Sequence, residues 1–355
     1  IGLEVVHQFN DNLTFTSLTG WTNSDTERSA INAGLPNEQF FTDGFFDQRL
    51  ATQEFRLNFE NDRLRWVAGL YAARGKNRGV RNSAFPIGTI TLTTGNDLTG
   101  TQTNYALFGE AAYQFAPRWR VIAGGRLDYF KNRSVGTTTF NGNVTQVDRS
   151  FSATEFIPKL GVTYDISDTQ KVSLIYQQGY RPGGSSVRPD TNQVIPFEAE
   201  NTNNLEFGYR ATLLQNSLII AANIFYQEWE TQQIERAVIP GNPLTNVIAT
   251  AGEAKSFGGE LEISYLPNSS TRLFAAVGLL NTEFTDFVLN QGAANEIDFT
   301  GFEFPNAPKT SISLGIDWQS PNGWFAGGLV QYVGSQLSSL EDQNTRRLDS
   351  YVTVD

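Results

Sequence analysis

The sequence predicts an all-β chain, a transmembrane antiparallel up-and-down β-barrel, and three observations carry that prediction. Apolar and polar residues alternate with period two in about fifteen runs, with no competing helical period. Short and long connections between the runs strictly take turns. Aromatic residues gather near the ends of the runs, where a membrane barrel carries its interfacial girdles.

The runs are clearest where charge fills the polar parity. Phe55, Leu57 and Phe59 alternate with Glu54, Arg56, Asn58 and Glu60. Trp119, Val121, Ala123, Leu127 and Tyr129 alternate with Arg120, Arg126 and Asp128, and Leu205, Phe207 and Tyr209 with Glu206 and Arg210. Phe257, Leu261 and Ile263 interleave with Glu260 and Glu262, and Ile312, Leu314, Ile316 and Trp318 with Ser313 and Asp317. On a barrel the charged set faces the lumen as a cross-strand ladder and solvated wall.

The short connections are Asn10-Asp11-Asn12, Asn61-Asp62-Arg63, Ala116-Pro117-Arg118, Ser167-Asp168-Thr169, Leu214–Ser217, Pro267–Ser270 and Ser320–Gly323. Most hold Asn, Asp, Pro or Gly, which suit tight turns. The long ones are expected as loops over 25–46, 77–101, 132–152, 181–199, 235–248, 285–305 and 335–346. A soluble sandwich or propeller would show shorter strands and less loop asymmetry. Trp66, Trp119, Trp318 and Trp324 lie beside short turns, and Tyr129, Tyr180, Trp229 and Tyr332 lie near long ones. From Trp119 to Tyr129 a tilted strand rises about 25 Å, the height of an apolar membrane band.

Composition excludes other classes. The 355 residues contain no Cys and a single His, so disulfide frameworks, thiol nucleophiles and His-cluster metal sites are out of reach. A formal charge of −11 argues against nucleic acid as a partner. No apolar stretch is long enough for a membrane-spanning helix. His7, just before the first short turn, has no second imidazole to share a catalytic site, and the chain is not expected to be an enzyme. No cofactor is expected. The chain starts at Ile1 and contains no Met, so it is expected to be part of a longer protein.

Five elements then occur in order. They are YQQGYRPGG (Tyr176–Gly184), ENTNNLEFGYR (Glu200–Arg210), LIIAANIFYQEWETQQ (Leu218–Gln233), FGGELEISYLP (Phe257–Pro267) and FPNAPKTSISLGIDW (Phe304–Trp318). Together they resemble the TonB-dependent outer-membrane receptors, especially those for iron complexes and siderophores. The resemblance implies residues 1–355 to be part of a 22-stranded barrel, with the plug domain and last strands outside this sequence. It also implies the outer membrane of a Gram-negative-type bacterium, with its lipid and lipopolysaccharide around the wall. Extracellular loops would bind a scarce nutrient, a ferric-siderophore complex foremost, and the TonB–ExbB–ExbD complex would act through the plug. A passive porin-like channel, or another barrel without a plug, is the alternative.

The ligand candidates come from the long connections. Phe40, Phe41, Phe45 and Phe46 crowd one segment and could meet a catecholate-like ligand or fold back under the loop. Arg74, Lys76, Arg78 and Arg81 form a basic cluster suited to an anionic chelate or to lipopolysaccharide phosphates. Tyr180 and Arg181 stand where Pro182-Gly183-Gly184 ends a strand. Arg181 could contact a ferric chelate, cap the strand end or pair with a loop acid.

Overall fold

The structure is a computed structural model that describes residues 1–355 except 34–38, 88, 189–190, 192, 238–245, 290–295, 339 and 341–346. Side chains are described at the same residues apart from 31–33, 39–40, 85–87, 236–237, 246, 251 and 289. Among the described residues there is no helix.

One antiparallel sheet of fifteen strands runs through the chain. Its first eight members are consecutive: β1 (Gly2–Asn10), β2 (Leu13–Ala33), β3 (Gln39–Glu60), β4 (Leu64–Ile87), β5 (Ile90–Ala116), β6 (Trp119–Phe140), β7 (Asn143–Ser167) and β8 (Gln170–Arg181). A small hairpin, β9 (Gly184–Val187) and β10 (Val194–Phe197), leaves the sheet before β11 (Glu200–Leu213), β12 (Leu218–Ala237), β13 (Asn246–Asn268) and β14 (Thr271–Asp286) continue it. A second, β15 (Val288–Leu289) and β16 (Ile297–Asp298), precedes β17 (Thr310–Gln319) and β18 (Phe325–Val333). A third, β19 (Gln336–Leu337) and β20 (Arg347–Leu348), precedes β21 (Tyr351–Val354). Every neighbour in the large sheet is next in the meander, with β1 and β21 at its two ends. The expectation of about fifteen up-and-down strands is met.

The short turns close as their residues dictate. Asn10 Oδ1 accepts from the N–H groups of Asn12 and Leu13, both at 2.9 Å. Asn61 Oδ1 does the same for Arg63 and Leu64 at 3.0 and 2.8 Å. An Asn side chain thus substitutes for the missing ladder partner and fixes the register of the hairpin.

The pleat sorts the sheet into an apolar and a polar face. Phe55, Leu70, Leu107, Leu127 and Phe156 are cross-strand partners in one row and are all exposed. A wall of this chemistry is solvated by lipid tails rather than water. At the short-turn end, Phe59 stacks on Trp66 at 5.8 Å, and Trp119 lies 4.6 Å from Tyr164. At the other end Tyr105 stacks on Tyr129 at 6.5 Å. These are the two aromatic borders of the band. The polar face carries ion pairs: Arg126 with Asp128 at 2.5 Å, Lys171 with Asp165 at 3.4 Å, and Arg56 with Glu54. Lys159 reaches Glu110 at 2.7 Å across the intervening strand, where their shared partner is Gly124 and no side chain stands between them.

The connections at the long-loop end differ from expectation. Most of the described residues of 25–46, 77–101 and 132–152 are strand rather than loop, because the ladders continue. β2 pairs β3 up to Ala33 and Gln39, β4 pairs β5 up to Ile87 and Ile90, and β6 pairs β7 up to Phe140 and Asn143. Beyond the membrane both faces meet water, so apolar alternation vanishes while β-branched Thr91, Thr93, Thr137 and Thr139 keep the backbone extended. Asn141 and Gly142, at φ 46° and 82°, give the paired left-handed conformations of a two-residue hairpin turn. Two aromatics expected in the girdle differ: Trp229 has polar-face parity, and Tyr180, with the parity of Leu174 and Tyr176, turns its hydroxyl to Asp128.

Candidate ligand-binding surface

The pleat decides which candidate residues share a face. Arg74 and Arg78 have the parity of Leu70 on β4, so they stand on the apolar side of the wall, above its aromatic border. Arg81 has the opposite parity and belongs to the polar face. The same rule divides the phenylalanines of β3. Phe41 and Phe45 share the face of Phe55, whereas Phe46 has polar-face parity. Phe40 has the parity of Phe46, and its side chain lies outside the described residues. The structure therefore does not bring the four rings into one patch, nor the cations into one cluster. The guanidinium of Arg78 instead lies 5.5 Å from the ring centre of Phe45 and makes two hydrogen bonds to Asp97, at 2.9 and 2.7 Å. Those bonds hold the Asp97 carboxyl below the usual carboxylate range.

On the polar face, an acid of β6 gathers side chains from β5, β6 and β8. Asp128 is only 4% exposed. Its Oδ2 accepts from Asn104 Nδ2 at 2.7 Å and from the Tyr180 hydroxyl at 2.8 Å, and its Oδ1 accepts from Arg126 Nε at 2.8 Å. Arg126 in turn lies 5.4 Å from the centre of the Tyr71 ring. A buried carboxyl group is stabilised by such a set of hydrogen-bond donors. Tyr180 reaches it from β8 because the β7–β8 ladder ends at Lys159 and Gln177. The next residue on β7 is Pro158, whose nitrogen carries no hydrogen to donate.

Arg181 is drawn into a second network. It donates to Glu200 Oε2 at 2.6 Å and to the Gln233 carbonyl at 2.7 Å. The same Oε2 accepts from Gln233 N at 2.6 Å. Gln233 Nε2 donates to the carbonyls of Pro182 and Glu198 at 2.9 and 2.8 Å. Pairing with an acid is the reading of Arg181 that the geometry favours. The strand end at Pro182 is tied to β12, and the β9–β10 hairpin folds out from that anchor.

Sequence reasoning missed the apolar core of the long-loop end. Phe284, Phe287 and Phe299 are buried together with Ala254, and Trp229, Phe302 and Phe304 pack against them. Ring centres lie 4.8 Å apart for Phe284 and Phe304, and 5.1 Å for Phe284 and Phe287. Trp229, Ala254 and Phe284 have the parity of the polar face. The β14–β17 ladder ends at Leu279 and Thr310. Above it, Phe284 N donates to the Phe302 carbonyl at 2.9 Å, and Gly301 N to the Phe284 carbonyl at 2.8 Å. The connection thus folds back onto the polar side of the wall as an aromatic-cored cap. The signal was present in the spacing of Phe284, Phe287, Phe299, Phe302 and Phe304, which is neither helical nor alternating. At the cap's foot, Glu303 meets Lys309 at 3.1 Å and also Arg347. Burial disfavours its charge, and the two cations overcome that and hold its carboxyl below the usual range.

None of these groups is arranged as an acid–base pair or a nucleophile with its base. His7 packs edge-on against Phe9 at 4.7 Å. Among the described residues no cluster of three or more His, Cys, Asp or Glu could hold a metal. What the arrangement offers is a recessed polar wall, capped in part by folded connections, with a lipid-compatible exterior.

Comparison with known proteins agrees with this architecture. The crystal structure of the ferric yersiniabactin uptake receptor FyuA from Yersinia pestis superposes with a TM-score of 0.82 at 20% identity, covering 100% of this chain and 52% of that one. The siderophore receptor PiuA from Acinetobacter baumannii gives 0.76 at 15% identity, covering 99% and 56%. In sequence, the metal-pseudopaline receptor CntO of Pseudomonas aeruginosa is 25% identical over 246 residues, 68% of this chain and 32% of that protein. The pesticin receptor of Yersinia pestis is 26% identical over 200 residues, 56% and 28% respectively. The chain spans about a third of the length of these curated relatives. The family profile described as "TonB dependent receptor-like, beta-barrel" matches residues 1–355. This chain belongs to the TonB-dependent receptor β-barrel family.

Proposed function

We propose that this chain is barrel wall from an outer-membrane receptor that imports a ferric-siderophore complex. The observation that carries the reading is the two-faced fifteen-stranded wall, matched along its whole length to a family of transport receptors. Relatives named for metal-pseudopaline and ferric yersiniabactin support the choice of a metal chelate as cargo. In the intact protein a plug fills the lumen, and the TonB–ExbB–ExbD complex pulls on it to open the path. The surrounding membrane contributes outer-leaflet lipid and lipopolysaccharide. The chain performs no covalent chemistry.

Ligand contact falls to polar-face groups at the long-loop end. Arg81 and Phe46 have polar-face parity on the tall β2–β5 hairpins, and the aromatic-cored cap lies on the same face of β12–β14. The Asp128 and Glu200 networks hold Tyr180 and Arg181 as framework around the mouth. An anionic chelate would meet Arg81, which is exposed and makes no salt bridge among the described residues.

The test uses the full-length gene in a strain lacking its own ferric-chelate receptors. Uptake of radiolabelled ferric chelates should appear with the gene and vanish when TonB is deleted. Uptake of no chelate, or uptake indifferent to TonB, refutes the proposal, and the latter outcome favours a passive channel.

A further inference from the structure

We propose that Gln233 is a positioning residue for cargo entry: its side-chain amide pins the β9–β10 hairpin across the mouth of the wall, as a fixed crossbar that narrows the entrance. The proposal rests on the transport reading above and adds to it a residue that touches the crossbar rather than the cargo.

The rim is uneven where this hairpin stands. β6 and β7 stay paired up to Phe140 and Asn143, and β12 and β13 up to Ala237 and Asn246. Between them, β7 and β8 part above Lys159 and Gln177, and β8 and β11 above Arg181 and Glu200. That leaves a notch, with residues 143–158 of β7 standing above their last partner on β8. The hairpin rises from the floor of the notch, approaches β7 through β9, and lies against β13 with both strands. Ile248 N donates to Ser186 Oγ at 3.1 Å, and Val247 and Ala249 on either side of that bond are buried. Tyr180, just before the outgoing foot, has the parity of Leu174 yet turns its hydroxyl to Asp128 on the polar face. The chain therefore leaves β8 heading over the mouth.

Gln233 holds both feet of the crossbar. Its Nε2 donates to the Pro182 carbonyl on the outgoing chain at 2.9 Å and to the Glu198 carbonyl on the returning chain at 2.8 Å. One planar amide, with two N–H donors, thus fixes two chain segments relative to β12. Its own main chain is fixed in turn, because its N–H donates to Glu200 and its carbonyl accepts from Arg181. Glu198 N also donates to Thr250 Oγ1 at 3.1 Å, which ties the returning foot to β13. The feet are pressed together as well. A Cβ on Gly183 would stand 2.7 Å from the Phe197 carbonyl oxygen, and one on Gly184 would stand 2.8 Å from the Phe197 ring. Neither glycine has a positive φ, so close approach is what Gly183-Gly184 serves here.

The strand that presents Gln233 is strained at the same place. The β12–β13 register shifts between Trp229 and Gln232 and again between Gln232 and Gln233. In that bulge Thr231 holds φ 55°, a left-handed conformation that β-branched residues rarely adopt. Its hydroxyl donates to the Ala199 carbonyl on the returning chain. Backbone strain of this kind persists only where the surroundings over-determine it. Here the bulge and the hydroxyl together aim the Gln233 amide at the two feet. The hairpin is held at both feet and along β13, which makes it a bar that stays in place rather than a lid that swings.

The test uses the full-length receptor in intact cells and reads access beneath the crossbar. The 355 residues hold no Cys, so Thr202→Cys supplies a reporter on the polar face of β11, just below the Arg181 and Glu200 pair. A receptor without that substitution corrects for labelling elsewhere. A small maleimide should label the reporter readily, and a maleimide carried on a long polyethylene glycol chain should label it slowly. Gln233→Ala should speed the large reagent roughly fivefold for each lost bond, about 25-fold together, and leave the small one unchanged. Gln233→Glu keeps the length without the N–H donors and should match Gln233→Ala. Gly184→Val displaces the hairpin by a separate route, through Phe197, and should also admit the large reagent. Fast mobility of the unheated variants on a denaturing gel checks that the wall is intact. Equal labelling by both reagents with Gln233 in place, or a large-reagent rate that Gln233→Ala leaves unchanged, overturns the proposal. Uptake of ferric trihydroxamate, tricatecholate and hydroxycarboxylate chelates is measured alongside. For a chelate that is imported, Gln233→Ala should raise the half-saturating concentration several-fold at an unchanged maximal rate, and a fall in maximal rate alone overturns the proposal. Size-graded labelling that depends on Gln233, with no uptake of any chelate, supports the crossbar and counts against the transport reading alone.

Discussion

Phe284→Ala should release the aromatic-cored cap without unfolding the wall. Phe284 is 1% exposed and touches Phe287 and Phe304 at ring distances of 5.1 and 4.8 Å. Truncating a Phe in such a core costs about 3–5 kcal/mol, from lost burial and the cavity left behind. The strand that carries it stays in its ladder with β13 through Phe257, Leu261 and Ile263, so the loss falls on the folded-back connection. At about 3 kcal/mol the opening equilibrium rises roughly 150-fold. Amide exchange reads it directly. Gly301 N–H, bonded to the Phe284 carbonyl, and Phe304 N–H, bonded to Thr282 Oγ1 at 2.9 Å, should lose protection by that factor. The amides of β3–β6 should not change, and the unheated protein should keep its fast mobility on a denaturing gel. Unchanged exchange at Gly301 would refute the cap as a packed unit. Equal loss in β3–β6 would refute its independence from the wall.

Three further outcomes follow from the same geometry. Glu200→Gln removes the charge that holds Arg181 and Gln233 together, and proteolysis near Pro182 should speed several-fold while the wall is unaffected. Gly124→Leu places a side chain between Lys159 and Glu110, and should lower the yield of folded barrel on refolding, whereas Lys159→Gln alone should change it little because the pair is partly solvated. The Glu303 carboxyl is depressed when folded, so its bonds to Lys309 and Arg347 contribute fully above the unfolded value of about 4.3 and are lost as pH falls through the lower folded value. Exchange at residues 347–348 should therefore rise only below about pH 4, and Glu303→Gln should remove that pH dependence.

Where the chain crosses the membrane, its sequence is nearly a readout of its structure. One parity must be apolar and the other polar, and Asn10, Asn61 and Pro117 end strands for local reasons. That legibility stops at the aromatic border. Above it both faces of β2–β7 are wet, so Thr137, Thr138 and Thr139 carry strand propensity with no alternation, and the hairpins read as loops. Asn141-Gly142 was the one local sign that a ladder persisted there. The candidate site suffered for the same reason. Judged by proximity in sequence, Arg74, Arg78 and Arg81 form one cluster. Judged by pleat, two stand on one side of the wall and the third on the other. Tyr180 misled in the opposite way, because its partner Asp128 lies 52 residues away and becomes reachable only where Pro158 ends a ladder.

The two halves of the long-loop end therefore solve different problems. The β2–β7 hairpins hold themselves up chiefly by backbone hydrogen bonds, and each side chain serves one face or the other. That alternation puts Arg74 and Arg78 on the apolar side and Arg81 on the polar side of a single strand. The connections after β8, β14 and β18 instead leave their ladders and must bury something to hold a shape. Phe284, Phe287 and Phe299 supply that core, and Glu200 and Glu303 pin its surroundings. A shape held by side-chain packing can be re-cut by a few substitutions without disturbing the wall, whereas a hairpin rim cannot change its outline without changing register. Specificity for one chelate over another should accordingly map to the packed connections between β8 and β18. Exchanging residues 285–305 for the corresponding segment of a receptor with a different cargo should shift uptake preference while keeping the barrel intact. Exchanging 132–152, a hairpin with no residue assigned to ligand contact, should not, and a preference that followed 132–152 would reverse the assignment.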